Sequence, residues 1–319
     1  MGYQGVEGSG TKGDSSPKVI KQRPNQLIET NQKWLVSLDD VNEESMTKPI
    51  VATRQIIEHI FDDAAKMYDH VGPSIFARFG ARLVERLPLA PGAHVLDIAT
   101  GRGAVLLPAA RRVGPRGHVT GIDLSSAILE ETERAARAEG LDNVELRKMD
   151  AEHLEFPDQS FDVVSCSFAL FLFPDIEAAL HEMYRVCKPD GYLSIINFNK
   201  TPPPFNPGWP ILFQQFMEYR VGISTPQQFA YTTQEVNALL SRFGFRSIET
   251  HSEMNDVVFA SVEDWWGFLL TLMPRATIMS MDEEMRARFK KEYLAKLSPM
   301  FSQDGLHLSL AVIYALAKR

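Results

Sequence analysis

The segment that constrains this chain most is Val95-Leu96-Asp97-Ile98-Ala99-Thr100-Gly101-Arg102-Gly103. Apolar residues around a single acid predict a short strand. The glycines after it predict a tight turn, since glycine lacks a Cβ and tolerates positive φ. A helix is expected next, over residues 104–113. A strand that delivers a glycine turn to a helix start lets a ligand approach the main chain closely. Two further predicted strands run into acids: residues 118–122 stop at Asp123, and residues 144–148 lead to Met149-Asp150. Acids at the carboxyl ends of neighbouring parallel strands stand where open α/β sheets bind ligands. Asp123 suits ribose hydroxyls there, and Asp150 with Ala151 lies where an adenine ring would sit.

The rest of the pattern supports such a sheet. Predicted strands at 94–99, 118–122, 144–148, 161–167 and 192–198 alternate with helices at 104–113, 125–139 and 176–187, which implies an α/β fold with a parallel sheet covered on both faces. Upstream, Ile50, Val51, Ile56, Ile57, Ile60, Phe61, Ala64 and Tyr68 fall near helical spacing, and Phe76, Phe79, Leu83 and Leu87 mark a second helix. Downstream, a prolyl stretch precedes a helix near 211–219. Thr232 with Glu235 has capping-box spacing and opens another helix. A strand at 245–250, helices at 262–272 and 282–297, and a strand at 308–317 follow. Residues 1–43 are polar and are expected to form a flexible arm. Residues 44–319 are expected to form one domain, with a cofactor-binding core over about 60–200 and cap insertions over about 201–231 and 251–305.

The loop also indicates which nucleoside. A dinucleotide needs a third glycine to seat its pyrophosphate on the helix start, but Ala104, Val105 and Leu106 follow Gly103. Asp97 would repel phosphates and welcome an ammonium group. S-adenosylmethionine fits that demand. The formal charge of −8 argues against a general grip on nucleic acid or anionic membrane. No apolar run reaches the length of a membrane span, and two cysteines, Cys166 and Cys187, allow neither a disulfide framework nor a multi-cysteine metal site. No metal is expected. A reducing, cytoplasmic setting is the expectation.

These motifs resemble the class I S-adenosylmethionine-dependent methyltransferases, and the branch related to the ubiquinone and menaquinone C-methyltransferases, which includes many natural-product enzymes. The resemblance is carried by residues 95–103 (V-L-D-I-A-T-G-R-G), 119–124 (V-T-G-I-D-L), 149–156 (M-D-A-E-H-L-E-F), 160–164 (S-F-D-V-V) and 183–191 (M-Y-R-V-C-K-P-D-G). Ala99 stands where the first glycine is common, and Asp190 where a glycine usually follows the proline. The resemblance implies a Rossmann-like, seven-stranded, mostly parallel sheet with an antiparallel last strand and a helical cap. It also implies that Asp97, Ala99, Thr100, Gly101 and Gly103 hold the methionine part, with Tyr68 near it. Asp123 would bind the ribose, Leu124 would lie against the adenine, and Met149, Asp150 and Ala151 would take its edge. Ser167 and Phe168 would line the floor under the sulfonium. S-adenosylhomocysteine would be the product.

The resemblance fixes the donor and is silent on the acceptor. Residues Phe171, Phe173, Trp209, Phe213, Phe216, Trp265 and Phe268 are expected to line a pocket for an apolar or aromatic small molecule, methylated at O, N or C. If a general base is used, His70 and His251 are the candidates. The alternative is a cyclase or isomerase on the same fold that retains the cofactor without methyl transfer. The oligomeric state stays open.

Overall fold

The computed structural model describes residues 53–201, 206–221 and 229–319. The expected flexible arm, residues 1–43, lies outside the described residues, as do Ile50, Val51 and two stretches of the first cap insertion. Seven strands form one sheet: β1 (His94–Ile98), β2 (His118–Asp123), β3 (Val144–Lys148), β4 (Phe161–Ser167), β5 (Cys187–Phe198), β6 (Arg246–Phe259) and β7 (Leu306–Lys318). Their order is β3-β2-β1-β4-β5-β7-β6. The first five are parallel, and β7 runs antiparallel to both β5 and β6. This is the seven-stranded architecture predicted above.

Helices cover both faces because the central strands are apolar on both. Val95 and Val163 face one side with α2 (Ile75–Arg86) and α3 (Leu106–Val113). Leu96, Ile98, Val164 and Cys166 face the other, with α5 (Ile176–Val186) and α7 (Thr233–Arg242). The helix α4 (Ser126–Ala138) packs on β2 and β3. Ahead of them, α1 (Arg54–Ala64) lies against α4. The capping box at α7 is present, with Glu235 N donating to Thr232 Oγ1 and Thr232 N donating to Glu235.

Two strands differ from the sequence expectation. The sixth runs on to Phe259 instead of ending at Thr250, so the cap insertion between β6 and β7 begins nine residues later than position 251. His251 to Asp256 look like loop because β6 is an edge strand, and its exposed face asks for no apolar alternation. The fifth strand begins at Cys187, and Phe161 and Val163 pair with Cys187 and Tyr192, so the Lys188-Pro189-Asp190-Gly191 turn is an irregularity inside a strand. Asp190 takes φ of 62° there, a conformation that aspartate tolerates better than most residues.

The cap is built from α6 (Gly208–Glu218), α8 (Val262–Leu269), α9 (Pro274–Met279) and α10 (Glu283–Leu297). Trp265 donates from its indole to the Tyr293 hydroxyl (2.6 Å), which donates to the Gly208 carbonyl (3.0 Å). Glycine is required at 208, because a Cβ there would stand 2.3 Å from Trp265 Cζ2. Gly208→Ala is therefore expected to destabilise the protein by about 1–3 kcal/mol through overpacking. A thermal melt checks this, and an unchanged midpoint would mean the indole yields freely.

Candidate functional site

At the carboxyl ends of β1, β2 and β4 two cavities adjoin. They share Tyr68, Ala99, Gly101, Ser167 and Phe168. The first extends under α1 past Asp123, Leu124, Met149, Asp150 and Ala151, and the second extends along the glycine loop past Asp97, Thr100 and Gly103. All thirteen residues expected at the cofactor line one or both.

Local geometry explains how the loop holds its shape. Ala99, Gly101 and Gly103 all take positive φ (52°, 54° and 80°). A Cβ at Gly101 would come within 3.4 Å of the Tyr68 ring and narrow the passage between the cavities. Asp97 is 2% exposed and accepts hydrogen bonds from Thr100 Oγ1 (2.7 Å) and Leu106 N (3.2 Å). Burial pushes its carboxyl up to about 7 against those bonds. Asp123 accepts from Gly101 N and Ser125 N, both at 3.0 Å, so the acid at the end of β2 braces the loop after β1. Burial raises its pKa as well.

The donor set fits an adenosine carrying a cationic amino-acid chain. Each strand-end carboxylate has lone pairs beyond its internal bonds, and at Gly101 the loop leaves space up to the Tyr68 ring. The Ser167 hydroxyl, buried at the junction of the cavities, has no hydrogen-bond partner among the described residues. A bound ligand would supply one.

Several groups of this site carry no signal in the sequence reading. Arg54, Glu58, Phe61, Glu152 and Leu172 also line the first cavity. Asp62, on α1, accepts from Ser125 Oγ (2.6 Å) and Ala127 N (3.1 Å) and so fastens α1 to the start of α4. Only Glu152 sits inside a motif already singled out, Met149-Asp150-Ala151-Glu152.

The aromatic candidates divide. Phe173 lines the first cavity. Rings then run on without a break: Tyr68 stacks on Phe76 (5.1 Å between centroids), Phe76 meets Phe168 (5.4 Å), and Phe168 meets Phe198 (4.8 Å). Phe198 touches Phe171 and stacks on Phe229, which reaches Trp209 and, through it, Phe213. By contrast Trp265, Phe216 and Phe268 are buried in the core, where the cap helices close on one another and on β6. They line neither cavity, and neither do Phe171, Trp209 and Phe213, which pack against the same core.

Neither expected base reaches the site. His70 is exposed in the turn after α1. His251 lies on the edge strand β6, beyond β5 and β7 from β4, and pairs with Glu253 (3.2 Å), which also holds Arg82. Neither borders a cavity.

Comparison with known proteins agrees with this geometry. Residues 95–191 match the methyltransferase domain family. The chain is 36% identical over 190 residues to nocamycin O-methyltransferase of Saccharothrix syringae, covering 58% of this chain and 65% of that protein, a little under two thirds. It is 37% identical over 158 residues to aklanonic acid methyltransferase DauC of Streptomyces sp. strain C5 (47% and 72% covered). With a demethylmenaquinone methyltransferase of Listeria welshimeri it shares 34% identity over 167 residues (51% and 70%). Among solved structures the cyclase SpnF has the same fold, with a TM-score of 0.52 at 18% identity over 85% of this chain and 99% of that one. The glycine loop, the strand-end acids and these relatives agree, and the chain belongs to the S-adenosylmethionine-dependent methyltransferases.

Proposed function

We propose that this chain transfers the methyl group of S-adenosylmethionine to an apolar, ring-bearing small molecule whose nucleophilic atom is already ionised when it docks. The observation that carries the reading is the unbroken run of rings from Tyr68 through Phe168 and Phe198 to Trp209, starting at the wall of both cavities. Such a surface suits a planar guest, because offset and edge-on ring contacts add to the burial of area. When bound, the cofactor supplies a methyl group on a positive sulfur with a neutral leaving group. The protein's share is alignment and exclusion of water.

The acceptor's ionisation is inferred from the surroundings. All eight histidines lie within the described residues, and none lines either cavity. Burial pushes the Tyr68 hydroxyl well above its usual value, which removes it as a base near neutral pH. Asp97 and Asp123 accept two loop donors each, and in this reading their remaining lone pairs are taken by the cofactor's ammonium and ribose groups. A carboxylic acid or an enolised dicarbonyl needs no base there, and one relative is named for an acid. The remaining candidates for the cofactor site take the roles the resemblance gave them. Cytoplasmic action on a small molecule instead of nucleic acid belongs to the same reading, supported by the net charge of −8 and the free, buried Cys166 and Cys187.

The test is incubation with S-adenosylmethionine and a panel of aromatic carboxylic acids, enols and neutral alcohols, followed by mass spectrometry. Acids and enols should gain one methyl group while neutral alcohols do not. Products of unchanged mass would replace this reading with the cyclase one.

A further inference from the structure

We propose that Arg54 is a positioning residue for adenine, setting the Asp150 carboxylate toward the 6-amino group by binding Asp150 and Glu152 at once. This rests on the cofactor reading above. Arg54 is the first residue of α1, and its Nε lies 2.7 Å from Asp150 Oδ2. The end of the same guanidinium pairs with Glu152 Oε2. The second oxygen of each acid is also fixed: Asp150 Oδ1 accepts from Glu152 N (2.9 Å), and Glu152 Oε1 accepts from Asp175 N (2.9 Å). The Glu152 side chain is only 2% exposed.

Two carboxylates are thus gathered on one cation in a partly dry site. All three residues line the first cavity, and Arg54 is the one cation among its described lining residues, beside Glu58, Asp123, Asp150 and Glu152. The Nε contact is electrostatic, since Nε–H has no aligned acceptor, so Oδ2 keeps a lone pair for another N–H. Without the guanidinium the two acids would repel each other, and the Asp150 carboxylate would lose the charge that holds its Oδ2 in place. A carboxylate so displaced no longer meets the 6-amino group it would accept from. Asp150 would then no longer prefer an amino group over a carbonyl at the adenine 6-position.

The experiment compares S-adenosylhomocysteine with its inosine counterpart, in which a carbonyl replaces the 6-amino group, by calorimetry on the full chain. The unsubstituted protein should prefer the adenosine ligand by roughly tenfold or more. In Arg54→Met that ratio should shrink to within about threefold, through weaker adenosine binding. Arg54→Lys keeps a charge on one nitrogen and should fall between them, which also covers the case in which Arg54→Met fails to fold. A ratio unchanged in the folded variants overturns the proposal, and so does an equal loss for both ligands, which would make Arg54 only a fastening for α1. If the unsubstituted chain bound neither ligand, the cofactor reading itself would fall, a different result from either of these.

Discussion

Asp123→Ala should weaken S-adenosylhomocysteine binding by about 3 kcal/mol or more, beyond a hundredfold. A hydrogen bond to a charged acceptor is worth about 1.5–3 kcal/mol, and two ribose hydroxyls would each lose one. The loss does not stop at the ribose. The same carboxylate receives Gly101 N and Ser125 N, so alanine also frees the glycine loop from the end of β2. Asp123→Asn separates the two effects: its amide oxygen still accepts one N–H, while its NH2 cannot accept the other. The asparagine variant should lie between alanine and the unsubstituted protein in affinity. Calorimetry decides, and a loss under threefold in the alanine variant would remove Asp123 from the ribose.

Affinity for the cationic cofactor should rise about fivefold between pH 6 and pH 8. Burial holds the Asp97 carboxyl at about 7, so near pH 6 most molecules must lose a proton before the carboxylate can meet an ammonium group. Binding should release that proton, which calorimetry in buffers of different ionisation enthalpy can count. The ligand's own amino group titrates near 8 and sets the upper end of the window. Methylthioadenosine lacks the amino-acid chain and should show no such slope. A flat profile for both ligands would separate Asp97 from the ammonium. Stability of the unliganded protein runs the other way. The folded chain keeps a proton that the unfolded chain releases in the ordinary carboxylate range, so stability falls as pH rises from there to about 7, and the loss is complete above it.

The sheet, and the place of the cavities at its strand ends, are legible in the sequence because both rest on local rules. Buried parallel strands read as short apolar runs, and glycines and acids at their ends keep fixed offsets from them. What escaped depends on distant partners. Arg54 at a helix start looks like ordinary surface charge until the fold brings Asp150 and Glu152 to it. His251 sits in a polar run that gives no hint of its place on the far edge of the sheet. Trp265 and Phe216 have the composition of a ligand pocket, yet cap helices must first fill the space between themselves, and these two rings do that. Phe198 and Phe229 carry the ring series onward, and nothing along the chain distinguishes a ring that extends this series from one inside a helix pair.

Ala99 and Phe168 both border the two cavities with φ near 50°, a torsion that disfavours branched side chains. At these two positions selection therefore screens main-chain shape before side-chain chemistry. A saturation library should accept glycine at 99 and reject valine or isoleucine at either position, even where the bulk would fit. Two of the positions that border both cavities are thus among the slowest to explore new sequence.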